Sequence, residues 1–127
     1  MLAVDTNVVL RLLAMDDDRQ YKLAQAIIED GGWLSHVVLA ESIWVLDRVY
    51  ECDAKWLMQA IEMLLQHEHL VLEDEDVVKD ALQEFKRKPK LGFSDCLVLA
   101  IARAAAHTPL ATFDKALAKL ADTELVR

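Results

Sequence analysis

Glycine and proline are scarce, 3 and 2 among 127 residues, and the scarcity excludes whole classes of protein. Fibrous and disordered, low-complexity chains need both in abundance, and this balance is that of a helix-rich globular protein. Cysteine is as rare: Cys52 and Cys96 stand in apolar or helical surroundings without C-x-x-C spacing. Neither a disulfide framework nor a zinc site is expected, and a reducing compartment suits the chain. Long apolar runs are missing too. The first is broken at Arg11, and Asp5 stands where a basic leader would begin, so neither an export signal nor a membrane span is expected and the expected address is cytoplasmic. Positive charge is in deficit, 14 basic residues against 22 acidic for a net −8, which disfavours bulk attraction to nucleic acid or anionic lipid but says nothing of a local site. What is present is 54% apolar and 28% charged residues in a length that fits one domain, residues 1–127. Such a chain can bury roughly two thirds of its unfolded surface.

Short β-like runs alternate with longer helical ones. "LAVD" (2–5) reads as a short buried strand and Thr6 to Ala14 as a helix directly after it. "DDDRQYKLAQAIIED" reads as a second helix with Asp16 to Asp18 at its start, and "GGWLS" (31–35) as a glycine stop followed by a strand. Val37 to Tyr50 and Ala54 to His67 form an expected helical hairpin. "HLVLE" (69–73) is a strand, Glu75 to Arg87 a helix, Ser94 to His107 an apolar helix, "PLAT" (109–112) a strand and Asp114 to Ala121 a short helix. The alternation predicts an α/β fold, a parallel sheet of four or five short strands flanked by helices on both faces.

In such sheets ligands bind beyond the carboxyl ends of the strands. Asp5 ends the first strand and Asp114 follows "LAT", so two acids take corresponding positions. Glu41 shares a helical face with Val37, Val38, Trp44 and Val45, and Asp95 has Val98, Leu99 and Ala102 at helical spacing, so both carboxylates are expected to point into apolar surroundings. Ionised acids there are costly without a cation or hydrogen-bond donors. Oxygen ligands with no supporting histidine or cysteine set suit Mg²⁺ or Mn²⁺. Thr6, Asn7 and Thr112 are candidates to bind metal waters or orient the acids. "KRKPK" adds Lys86, Arg87, Lys88 and Lys90 just before Asp95, a candidate rim for flanking phosphates as well as an ordinary solvated helix end.

Four pieces, "AVDTNVVLRLL", "SHVVLAESIWVL", "GFSDCLVLAIA" and "LATFDKALAKL", in this order and spacing resemble a PIN-domain ribonuclease of the VapC type, the toxin of bacterial toxin–antitoxin pairs. The resemblance spans nearly the whole chain. It implies a metal-dependent RNA endonuclease whose acids are Asp5, Glu41, Asp95 and Asp114, supported by Thr6, Asn7 and Thr112. It also implies a cognate antitoxin and a homodimer, with Val37 to His67 as the contact region. The wide apolar stripe of "WLMQAIEMLL" fits such association. Two rivals remain. A phosphatase of the haloacid dehalogenase type needs a second Asp two positions after the first, where Asn7 stands. A PIN-like scaffold that binds partners without cleaving RNA is the alternative.

Overall fold

The computed structural model describes residues 1–127, which form two units, Met1–Glu75 and Asp76–Arg127. The first contains β1 (Leu2–Ala3), α1 (Thr6–Ala14), α2 (Asp18–Ile28), β2 (Gly32–Leu34), α3 (His36–Arg48), α4 (Ala54–Gln66) and β3 (Leu70–Leu72). Its helix starts are written in short polar side chains. Asp17 accepts the N–H of Gln20 at 3.0 Å, Ser35 that of Val38 at 3.2 Å and Asp53 that of Trp56 at 2.8 Å. Each such cap stabilises its helix by about 1 kcal/mol.

The three strands run parallel in the order β1-β2-β3, with Leu2 opposite Gly32 and Gly32 opposite Leu70. The glycine pair has a steric cause. Gly31 turns the chain at φ +104°, and a Cβ on Gly32 would lie 2.9 Å from Ile28 Cγ2 and 3.2 Å from both Leu70 Cδ2 and Val4 Cγ1, so any side chain there must push a neighbour aside. Helix α1 packs on α2 and α3, α3 on α4, and α4 on β3. Val9, Leu46, Ile61 and Leu64 are wholly buried, each worth roughly 1.5–3 kcal/mol relative to exposure.

The second unit contains α5 (Glu75–Arg87, whose first residue closes the first unit), α6 (Phe93–Ala104), β4 (Leu110–Thr112) and β5 (Thr123–Leu125), with 3-10 turns at Pro89–Leu91 and Leu117–Lys119. Phe85 and Phe93 meet edge to face, ring centroids 6.0 Å apart. Arg103 ties the unit together: Nε donates to Asp122 at 3.0 Å, Nη1 to Asp80 at 3.2 Å, and Nη2 to the Ala121 carbonyl at 3.0 Å. Its Nη1 also lies 3.7 Å from Glu84, which is 5% exposed and is joined by Arg87 at 3.4 Å. Burial works against the charge on Arg103, but the hydrogen bond and charge of Asp80, with Glu84 and Asp122, outweigh it and raise its pKa.

The α/β class and five short parallel strands agree with the sequence. The single sheet does not: β4 pairs only with β5, in register Leu110 to Thr123, as a separate two-stranded sheet. Strands of two or three residues supply few ladder bonds each, so pairing ends quickly. β1 is exposed, since Val4, just past it, is the buried residue. The expected helix over 114–121 shrinks to one 3-10 turn, its first N–H groups taken by the Asp114 side chain. α4 buries an ordinary stripe, Leu57, Ala60, Ile61 and Leu64, which leaves Met63 exposed. Exposed apolar side chains lie on several helices: on α3 at Val37 and Trp44 with Val49 just past its end, on α2 at Leu23 and Ile27, and on α6 at Val98 and Ile101. Trp33 is also exposed and Trp56 is partly buried, so no tryptophan belongs to the fully buried core.

Candidate functional site

Asp95 and Asp114 belong to the second unit and feel one another. Asp95 lies in the first turn of α6, half-buried; burial raises its pKa, and the neighbouring Asp114 carboxylate raises it further. Two acids that repel in a partly desolvated place form a site a cation would relieve. Asp114 is fixed by the chain around it. Its Oδ1 accepts the N–H groups of Ala116 at 2.8 Å and Leu117 at 3.1 Å, while Thr112 Oγ1 accepts the N–H of Asp114 at 3.0 Å. Thr112 thus holds the backbone of Asp114.

The Cys96 thiol beside Asp95 is pushed up to about 12, by burial first and then by Glu84 and Asp95. It stays protonated at neutral pH and is no nucleophile.

Asp5 and Glu41 belong to the first unit. Asp5 follows β1 and is the N-cap of α1, its Oδ1 accepting the Thr6 N–H at 2.7 Å. The Thr6 hydroxyl is buried and has no hydrogen-bond partner. Leaving such a group unpaired costs about 1–3 kcal/mol, so a further polar partner would be welcome there. Asn7 is exposed.

Glu41 corrects the sequence expectation. It does lie on the face that carries Val37 and Trp44, but that face looks outward: Val37 is 75% and Trp44 54% exposed, and Glu41 is exposed with them. Leu39, Ser42, Ile43 and Leu46 form the buried stripe of α3. A helix with apolar residues on two faces leaves the choice to packing, and the charged face takes the water. Asp95 is an intermediate case, since Leu99 is buried but Val98 is 51% exposed.

The acid that is buried, Glu84, was missed by sequence reasoning. Its signal was available: it shares one face of α5 with the buried Val77, Ala81 and Phe85 and precedes Arg87 by three. Of the basic stretch, Arg87, Lys88 and Lys90 line a concavity of about 330 Å³ together with Lys119, which the sequence did not single out. Lys86 is not among the lining residues.

The chemistry of the donor set fits a hard dication. In the second unit Asp95 and Asp114 offer carboxylate oxygen, with Asp114 Oδ2 clear of its capping bonds, and in the first unit Asp5 offers the same beside the unpaired Thr6 hydroxyl. No group of three or more His, Cys, Asp or Glu side chains is gathered as a ready metal cage. A Mg²⁺-type ion, which keeps several waters and uses few carboxylates, does not require one.

The model of the PIN domain family matches residues 2–123, and the chain belongs to that family. It is a family of nucleases, and the PIN-like α/β fold read from the sequence holds. Among solved structures the chain is similar to Mycobacterium tuberculosis VapC20, described as a sarcin–ricin loop cleaving toxin, at 19% identity and a TM-score of 0.43 over 98% of each chain. No match was found among curated proteins. No helix is long and apolar enough to cross a membrane.

Proposed function

We propose that the protein is a metal-dependent endoribonuclease, the VapC-type toxin of a toxin–antitoxin pair, built as one PIN domain over residues 1–127. The carrying observation is the match to the PIN family from residue 2 to 123, in a chain where burial and the Asp114 carboxylate raise the pKa of Asp95. The two acids are the first pair of ligands for Mg²⁺ or Mn²⁺, and Asp5 and Glu41 complete the acidic set. When bound, such an ion supplies Lewis acidity at the scissile phosphate and lowers the pKa of a bound water. The residues do the holding. Asp114 presents Oδ2 because the turn at 116–117 and Thr112 fix the rest of it. Thr6 offers its unpaired hydroxyl beside Asp5, and Asn7 its exposed amide. Arg87, Lys88 and Lys90, with Lys86 before them, serve the RNA backbone.

The proposed partners are a cognate antitoxin and a second copy of the chain, both in the cytoplasm. The exposed Val37, Trp44 and Val49 around α3 support a covered surface there.

The test is cleavage of total cellular RNA by the purified protein with Mg²⁺ or Mn²⁺, beside EDTA and Asp95→Asn lanes. Discrete fragments that need both metal and Asp95 are expected. Intact RNA in every lane, with partner binding retained, would favour the non-catalytic PIN scaffold.

A further inference from the structure

The basic concavity of the second unit is built from three separate pieces of chain. Arg87 ends α5, Lys88 and Lys90 flank and enter the 3-10 turn at Pro89–Leu91, and Lys119 closes the turn at Leu117–Lys119. Its volume of about 330 Å³ sits at the lower end of small-ligand sites, which span about 300–1,000 Å³. That is room for a fragment of a ligand.

Three of the four cations, Lys88, Lys90 and Lys119, form no ion pair and no side-chain hydrogen bond within the protein. Arg87 has Glu84 at 3.4 Å, and Glu84 is already shared with Arg103. In a protein of net charge −8, three lysines with no partner inside the protein line one hollow, and an external anion gives them a common counter-charge. The remaining lining is apolar: Pro89, Leu91 and Ala116.

The walls are held by local bonds. The Leu91 N–H donates to the Lys88 carbonyl at 3.0 Å, and the turn that carries Lys119 begins at Leu117, whose N–H is bound by the Asp114 carboxylate at 3.1 Å. The acid proposed for chemistry and the lysine on the hollow are therefore placed by one turn.

We propose that this hollow seats one nucleotide of the RNA strand flanking the cleaved bond, with its phosphate on Lys88, Lys90 and Lys119 and its sugar or base on Pro89 and Leu91. The proposal rests on the nuclease assignment for its choice of RNA among polyanions. It adds Lys119 to the contact residues and a defined pocket to what was a linear basic stretch.

Binding is measured apart from cleavage, by fluorescence anisotropy of a short fluorescein-labelled single-stranded RNA in EDTA. Lys88→Gln and Lys119→Gln are each expected to weaken binding roughly five- to tenfold at about 50 mM salt and to reduce the log–log salt slope by about 0.7, as for one lost phosphate contact on a single strand. Lys119→Arg should restore both values. Lys22→Gln, which removes the same charge from an exposed site in the first unit, should change neither.

Unchanged affinity and slope in both lysine variants overturn the proposal. So does competition by inorganic phosphate or an acidic peptide as effective as competition by unlabelled RNA. The nuclease assignment fails differently: if the wild type cleaves no RNA with either metal while binding still depends on Lys88 and Lys119, the pocket stands and the catalytic assignment falls.

Discussion

The two units carry opposite charge. Residues 1–75 hold 15 acids against 5 bases, a net of −10, whereas residues 76–127 hold 7 acids against 9 bases, a net of +2. The overall −8 is therefore an average over unlike regions, and its argument against nucleic acid binding applies to the first unit alone. Their internal electrostatics differ as well. Each unit has an arginine hub of similar exposure: Arg11, 23% exposed, reaches Asp16 at 3.3 Å and Tyr50 at 2.8 Å, and Arg103, 19% exposed, reaches Asp80, Glu84 and Asp122. The partners set them apart. Asp16 is 47% exposed, while Glu84 has only 7% of its side chain in water. A pair that includes a desolvated acid cannot lose one member cheaply, whereas a solvated one can.

The largest expected effects test whether both units serve one chemistry. Asp5→Asn from the first unit and Asp95→Asn from the second should each lower RNA cleavage by at least about a hundredfold, the scale of losing a principal electrostatic element of a site. Gel assays of initial rate measure this, and full activity in Asp5→Asn would leave the second unit as the sole bearer of catalysis.

Next come the hubs. Arg103→Met should destabilise the protein by about 2–4 kcal/mol in urea unfolding, because it leaves the buried Glu84 with Arg87 alone and takes the cation from Asp80 and Asp122, whereas Arg11→Met should cost under about 1 kcal/mol. Equal losses would remove the distinction drawn between them.

A smaller effect concerns Asp95. Its pKa is raised by burial and by Asp114, so the folded state holds the proton more tightly than the unfolded chain does. That contribution favours folding below the ordinary aspartate value and is lost as pH rises through the folded-state value. At neutral pH Asp95→Asn should therefore raise Tm, and the gain should vanish on acidification; a lower Tm at pH 7 would contradict the repulsive environment. Mg²⁺ should raise the Tm of the wild type more than that of the variant. The smallest is Thr6→Val, expected to stabilise by about 1 kcal/mol in the metal-free protein by replacing an unpaired buried hydroxyl with a methyl of the same shape.

Most elements were legible because their signals are local. α1 and α5 begin and end where apolar spacing placed them, and Asp17, Ser35 and Asp53 announce their helices by side-chain chemistry that needs no tertiary contact. The failures are tertiary. Spacing identified an apolar face around Glu41 but could not say that the face through Leu39 and Ile43 would win the interior. Glu84 carried a local signal, its place on the α5 face with Val77, Ala81 and Phe85 and Arg87 three positions on, but its second partner, Arg103, lies 19 positions away and only the fold brings it there. For the candidate site, strand-end position singled out Asp114 and helix position Asp95, but nothing local said that these two would be neighbours, and the membership of Lys119 in the basic hollow depends on a turn replacing a helix.

The brevity of the strands has a consequence for the chain in solution. None of the five exceeds three residues, so none presents enough consecutive free N–H and C=O groups to template pairing with another molecule. A sequence that is 54% apolar would otherwise be at hazard of fibrillar association as it emerges from the ribosome. By placing its apolar residues mainly on helices and keeping its strands short, this protein limits the edges along which such aggregates grow.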